Sequence, residues 1–253
     1  MKTRFFTTFI STLALTGVYA TSAQAFTFTT NYSTTDTTTW TKDITLKSVE
    51  FNSKTYSNFS LVNDVKIIQN DIWTGGNTGA ASSDKGDNAS GIRVEKPTAS
   101  NLVTSLGNLN LSNIVDTEDT GSFTLDLFFA KPADNFLFFE RGKNSKLDVQ
   151  AVLTDGSFGS VVNLDSKTWQ NAGYKLDTKE ITEIQKVGSL GLSLLDLGVT
   201  DAKSFKGLRL TSLASYNGPD FKVVATAVPE PTTVLGLGVV GAALAMSRRK
   251  KAH

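Results

Sequence analysis

The chain has 253 residues, of which 40% are apolar and 19% charged, with 20 Gly and 5 Pro, the composition of a folded protein with a sizeable core. It contains no Cys and a single His, His253, which removes thiol nucleophiles, disulfides, Cys/His zinc sites, Ser-His-Asp triads and HExxH metal sites. Setting aside the cations and the one acid of the two ends leaves 19 basic and 23 acidic residues in 26–227, a net charge of −4 that argues against nucleic acid as a partner.

The N-terminus reads Met1-Lys2-Thr3-Arg4, then a mostly apolar stretch from Phe5 to Ala20, then Thr21-Ser22-Ala23-Gln24-Ala25. A basic start, an apolar segment and small residues at Ala23 and Ala25 make residues 1–25 a secretory signal peptide with cleavage before Phe26. The partners this implies are the Sec translocon and signal peptidase.

Residues 26–227 read as one all-β domain. Threonines dominate 27–41, and with Phe28, Tyr32 and Trp40 interspersed they suit an N-terminal strand. Strand patterns follow at Ile44–Val49, Phe123–Phe129, Phe136–Phe139, Leu147–Leu153, Phe205–Leu210 and Phe221–Val224. Asp155-Gly156 marks a hairpin between Leu153 and Ser157–Val162. Helical patterns are short: Thr98–Leu106 closed by Gly107, and Ser193–Leu197 closed by Gly198. Many short strands with one or two short helices predict a single β-sandwich of jelly-roll type.

Three internal features are candidates for binding. Trp73–Gly91 is long, polar and glycine-rich, and Asp84, Asp87 and Asn88 supply hard oxygens for calcium, with Glu118, Asp119 or Asp220 available to complete the shell. A solvated crossover is the competing reading, because the order D-x-[DN]-x-[DN]-G is absent and Lys85 lies between the acids. Glu140 and Arg141 suit either a sugar contact at a rim or a local salt bridge at a turn. Trp40, Trp73 and Trp169 suit either sugar stacking or a core.

The C-terminal segment, 228–253, has three parts. Val228-Pro229-Glu230-Pro231 is stiffened by its prolines, 13 apolar or Gly residues run from Val234 to Met246, and Arg248-Arg249-Lys250-Lys251 follow. As a helix the apolar run reaches roughly 20 Å against a hydrocarbon core of about 30 Å, a short membrane helix whose cations stay on the cytoplasmic side. Gly236-Leu237-Gly238-Val239-Val240-Gly241 spells GxGxxG, but no acid lies in the 12 residues after it, so the glycines belong to helix packing in the membrane rather than to a dinucleotide fold. The order Pro229-Glu230-Pro231, apolar run, Arg248-Arg249-Lys250 resembles the PEP-CTERM sorting signal, which implies recognition and removal by exosortase after transient anchoring through residues 234–246.

The runs Trp73–Gly91, Asn108–Phe123, Glu140–Asp148 and Tyr216–Val224 are similar to those of the cyanobacterial exosortase-dependent surface proteins. That resemblance implies export to the cell surface or extracellular matrix, and carries no catalytic residue and no ligand. The expectation is an exported, non-enzymatic surface protein with no cofactor other than calcium, its body open to carbohydrate (an extracellular polysaccharide) or calcium. The alternative is a secreted carboxylate-dependent glycoside hydrolase or lyase, which needs two acids about 5 to 9.5 Å apart in a cleft.

Overall fold

The structure, a computed structural model, describes residues 25–72, 81–82, 94, 96–177 and 183–228. Strands β1 (Thr29–Ser33), β2 (Thr45–Phe51), β3 (Lys54–Tyr56), β4 (Phe59–Ser60), β5 (Val62–Asn70) and β6 (Ala81–Ser82) precede helix α1 (Ala99–Leu106). After it come β7 (Asp116–Thr117), β8 (Phe123–Phe129), β9 (Ala133–Arg141), β10 (Leu147–Leu153), β11 (Val162–Leu164), β12 (Gln170–Leu176), β13 (Gln185–Ser193), β14 (Phe205–Ser212) and β15 (Asp220–Ala227).

All the ladders among these strands are antiparallel. An outer sheet has the order β11-β10-β14-β8-β5, a central sheet β12-β13-β9-β15-β4, and a covering sheet β1-β2-β3. The sandwich expected from the strand patterns is present, with a third layer on it.

The third layer follows from β9. In a strand, successive side chains point to opposite faces, so an unbroken apolar run demands cover on both. Phe136 and Phe138 pack with Leu125, Leu127, Leu208 and Leu210 of the outer sheet. Leu137 and Phe139 turn the other way, onto Leu46 and Val49 of β2. Phe28 meets Phe139 edge-on with ring centroids 5.5 Å apart, and Tyr32 meets Tyr174 of β12 at 5.5 Å. β15 is buried along its whole length for the same reason.

Helix α1 packs against β5 and β15, inserting Leu102 and Leu106 into the core between the two sheets. Thr98 caps it: its hydroxyl accepts from Asn101 N while the Asn101 side chain accepts from Thr98 N. Gly107 ends it, donating to Val103 O at 2.6 Å. The expected helix at Ser193–Leu197 is instead a turn after β13: the bonds from Leu197 N to Ser193 O at 3.4 Å, Gly198 N to Leu195 O at 3.0 Å and Val199 N to Leu194 O at 2.9 Å have three different spacings and build no regular helix. The Asp155-Gly156 turn forms, with Gly156 at φ 86, but the returning segment only bridges at Phe158 before pairing regularly in β11.

Gly207 sits in β14 between two hydrogen-bonded neighbours, so nothing around it can step aside. A Cβ there would lie 2.5 Å from Leu127 O and 2.8 Å from Phe128 Cδ1. Gly207→Ala is expected to destabilise the fold by about 1–3 kcal/mol with an unchanged denaturant slope, measured by urea unfolding.

Candidate functional site

Charged groups in β9 and β15 are the first place to look for chemistry, because burial of charge needs a reason. Glu140 is fully buried and Arg141 nearly so. They do not pair with each other at a turn. Arg141 reaches across to β15 and donates to Asp220 Oδ2 from Nε at 2.9 Å and from Nη2 at 2.6 Å, with Asp116 Oδ1 at 3.2 Å. Asp220 also accepts from Thr117 N at 2.9 Å, so it is committed here rather than available to a calcium shell. The Glu140 carboxyl accepts from Lys143 N at 2.6 Å and Ser145 Oγ at 2.5 Å, holding the β9–β10 turn. Burial pushes this carboxyl up to about 8, against the opposing effect of those two donors.

Lys222 is likewise buried, and among the described residues its ammonium meets no carboxylate. It donates to Ser105 O at 2.6 Å and Asn108 Oδ1 at 3.0 Å, at the C-terminal end of α1. Burial holds it well below the ordinary lysine range. These groups tie elements together, and they line none of the clefts formed at Phe129 and Phe205, at Ile67 and Ile72, and at Phe26 and Asn52. Among the described residues no three His, Cys, Asp or Glu side chains gather as a metal site.

The outer face of the outer sheet is different. Its alternating positions, set by the period of the strands, carry polar side chains in cross-strand register. One row runs Lys66, Asp126, Arg209, Gln150, and the next runs Gln69, Thr124, Thr211, Asp148, Asn163. Arg209 clamps Asp126 with two parallel bonds of 2.7 and 2.9 Å. The Phe158 ring lies over that guanidinium at 4.3 Å and stays 44% exposed. Asn163 Nδ2 and Tyr216 OH both donate to Asp148, at 2.7 and 2.9 Å. The face offers planar donors and acceptors held in place, beside one exposed ring.

Neither described tryptophan belongs to that face. Trp169 is core, its indole donating to Ser145 O at 3.2 Å. Trp40 sits half-buried against Tyr32 with ring centroids 6.4 Å apart. The aromatic side chains placed there include Phe128, Phe158 and Tyr216, none of which is among the candidates read from the sequence. The alternation Thr124, Asp126 and Asp148, Gln150 was the signal that could have found the face.

Ala25, on the other side of the expected signal cut, packs partly on the core. Ala23, Trp73, Asp84, Asp87, Asn88, Pro229, Glu230, Pro231, Arg248, Arg249 and Lys250 lie outside the described residues, as does the expected membrane helix over 234–246. Compared with known proteins, the chain matches no family model and no curated protein.

Glu140 gives a signed pH dependence. Its folded carboxyl near 8 lies above the ordinary value of 4.5. Its contribution to stability is therefore complete below about 4.5 and is lost as pH rises through about 8, on the order of a few kcal/mol in all. Melting curves from pH 5 to 9 are expected to show this decline, and Glu140→Gln to flatten it.

Proposed function

We propose that the chain is an exported, non-enzymatic surface or extracellular-matrix protein of the exosortase-dependent type, whose sandwich binds extracellular polysaccharide through the outer face. The observation that carries the binding reading is the Asp126–Arg209 clamp under the exposed Phe158 ring. Sugars present hydroxyls in a plane and a C–H face, and fixed planar groups beside an aromatic ring match both. Catalysis by two acids needs a cleft with facing carboxylates. In the three clefts lined by Phe129 and Phe205, by Ile67 and Ile72, and by Phe26 and Asn52, the one carboxylate is Asp71, which is bonded to Ser122, so none of these three presents a facing pair.

The sandwich itself we assign to the jelly-roll type. Support comes from nesting: β8 pairs with β14 in one sheet while the next strands inward, β9 and β13, pair in the other. Export and sorting rest on the signal peptide at 1–25 and on Pro229-Glu230-Pro231, the apolar run and Arg248-Arg249-Lys250. Calcium at Asp84, Asp87 and Asn88 stays part of the proposal on sequence alone.

Affinity electrophoresis in gels containing bacterial extracellular polysaccharide tests the binding. Phe158→Ala and Arg209→Ala are each expected to weaken retention roughly 2- to 10-fold, with circular dichroism unchanged for Phe158→Ala. Unretarded wild-type protein overturns the carbohydrate reading, and release of reducing sugar transfers it to the enzyme class.

Intact-mass analysis of surface material tests the sorting, with cuts expected after Ala25 and near Pro229–Pro231. Pro229→Ala with Pro231→Ala is expected to leave uncut precursor in the membrane fraction, since both prolines lie beyond β15 and stiffen the peptide that the protease must receive. Protein outside the membrane that still carries Arg248–Lys251 overturns it.

A further inference from the structure

One end of the sandwich carries a cluster of cations that the fold does not use. Lys131 of the β8–β9 turn, Lys203 after β13 and Lys206 of β14 line one cleft, floored by Phe129 and Phe205, and no carboxylate lines it. None of the three ammonium groups has an ion-pair partner among the described residues. Lys131 Nζ donates to Asn58 Oδ1 at 3.2 Å, and Lys206 Nζ lies 5.8 Å from the Phe128 ring centre. The nearby acids Asp134 and Asp201 are engaged elsewhere, Asp134 with Thr226 Oγ1 at 2.9 Å and Asp201 with Lys203 N at 3.0 Å. Loss of the three lysines would break no contact of the core.

Val228 lines the same cleft, and its N–H is fixed to Pro132 O at 2.9 Å. The apolar run begins at Val234, six residues on. Six residues span at most about 20 Å, so a chain anchored through 234–246 holds this end of the body within that distance of the bilayer. The body as a whole is net acidic, and an anionic surface would repel it. The lysines stand at the one end that the tether forces toward that surface.

We propose that the Lys131–Lys203–Lys206 end docks onto anionic phospholipid head groups of the leaflet facing the body, orienting the anchored precursor on the membrane. This rests on the anchoring reading above. Near an anionic surface each lysine shifts the docked population roughly fivefold, so three together shift it about a hundredfold at low salt.

The chain has no cysteine, so single labels are clean. The full chain carrying Ala202→Cys in the cleft, or Ser215→Cys in the β14–β15 loop at the opposite end, is fluorescently labelled. Each is reconstituted into vesicles of phosphatidylcholine, with or without phosphatidylglycerol, containing a head-group-quenching lipid. Quenching of the label at Ala202→Cys is expected to exceed that at Ser215→Cys, to require phosphatidylglycerol, and to vanish in high salt and in Lys131→Gln/Lys203→Gln/Lys206→Gln. Equal quenching in neutral and anionic vesicles, or quenching unmoved by the triple substitution, overturns the docking while leaving the anchor intact. Failure of the chain to float with either vesicle overturns the anchoring reading, and the docking with it.

Discussion

The central sheet is covered on both faces, and that constraint decides where every charged group in it can go. Sheets built from antiparallel strands commonly leave one face wet, and charges then sit on the wet side. Here Glu140, Arg141, Asp220 and Lys222 all lie in the two middle strands, β9 and β15, with water excluded from both sides. Each is satisfied in its own way. Arg141 is held by two carboxylates, Glu140 is favoured in its neutral form, and Lys222 donates to Ser105 O in the last turn of a helix and to the Asn108 side chain beyond it. Replacing such groups by apolar ones is often tolerated, whereas removing one partner leaves a buried charge alone and costs about 3–5 kcal/mol. Their effect is positional. Asp220 fixes the segment at Thr117 and Lys222 fixes the end of α1, two of the places where the long crossover between β5 and β8 meets the sandwich.

Much of this was legible. Phe123–Phe129 and Leu147–Leu153 were readable to the residue because each opens on an alternation of apolar and polar residues, which is what a period of two detects. Thr98 and Gly107 bounded α1 correctly, since capping chemistry is local. The weaker results share a cause. β5, β12 and β13 contain Asn-Asp, Asn-Ala-Gly and Gly-Ser-Leu-Gly, and their strand character comes from neighbours rather than from their own residues. Ser193–Leu197 has helical composition, but Asp196 turns back onto Ser193 N at 2.7 Å and closes the segment as a turn.

The site was less legible than the fold. Glu140-Arg141 are adjacent in sequence and so invite a mutual salt bridge, yet adjacent strand residues point to opposite faces. Phe138 and Glu140 share one side, Phe139 and Arg141 the other, and partners for Arg141 could come only from strands distant in the chain. The outer face had the converse problem. Its members come from five strands, and no two neighbours in a row are neighbours in sequence, so registers had to be known before Asp126, Arg209 and Gln150 could be seen as one surface.

The two ends of the body meet the same edge of the architecture. Phe26 exchanges backbone bonds with Gly191, both at 2.8 Å, and Val228 donates to Pro132 O. Register places Leu192 opposite Phe136 and Ala227 opposite Ala133, so both junctions adjoin the start of β9. Cuts before Phe26 and after Val228 would therefore remove none of the strands described, and both cut points lie at one end. If the proposed anchor holds the body there, its strands would run away from the membrane and its outer face would turn sideways to the medium. Under the anchoring and polymer-binding proposals the two tasks would separate by direction: the lysine end would face the bilayer for as long as a tether held, and the Arg209 face would stay open to polymer.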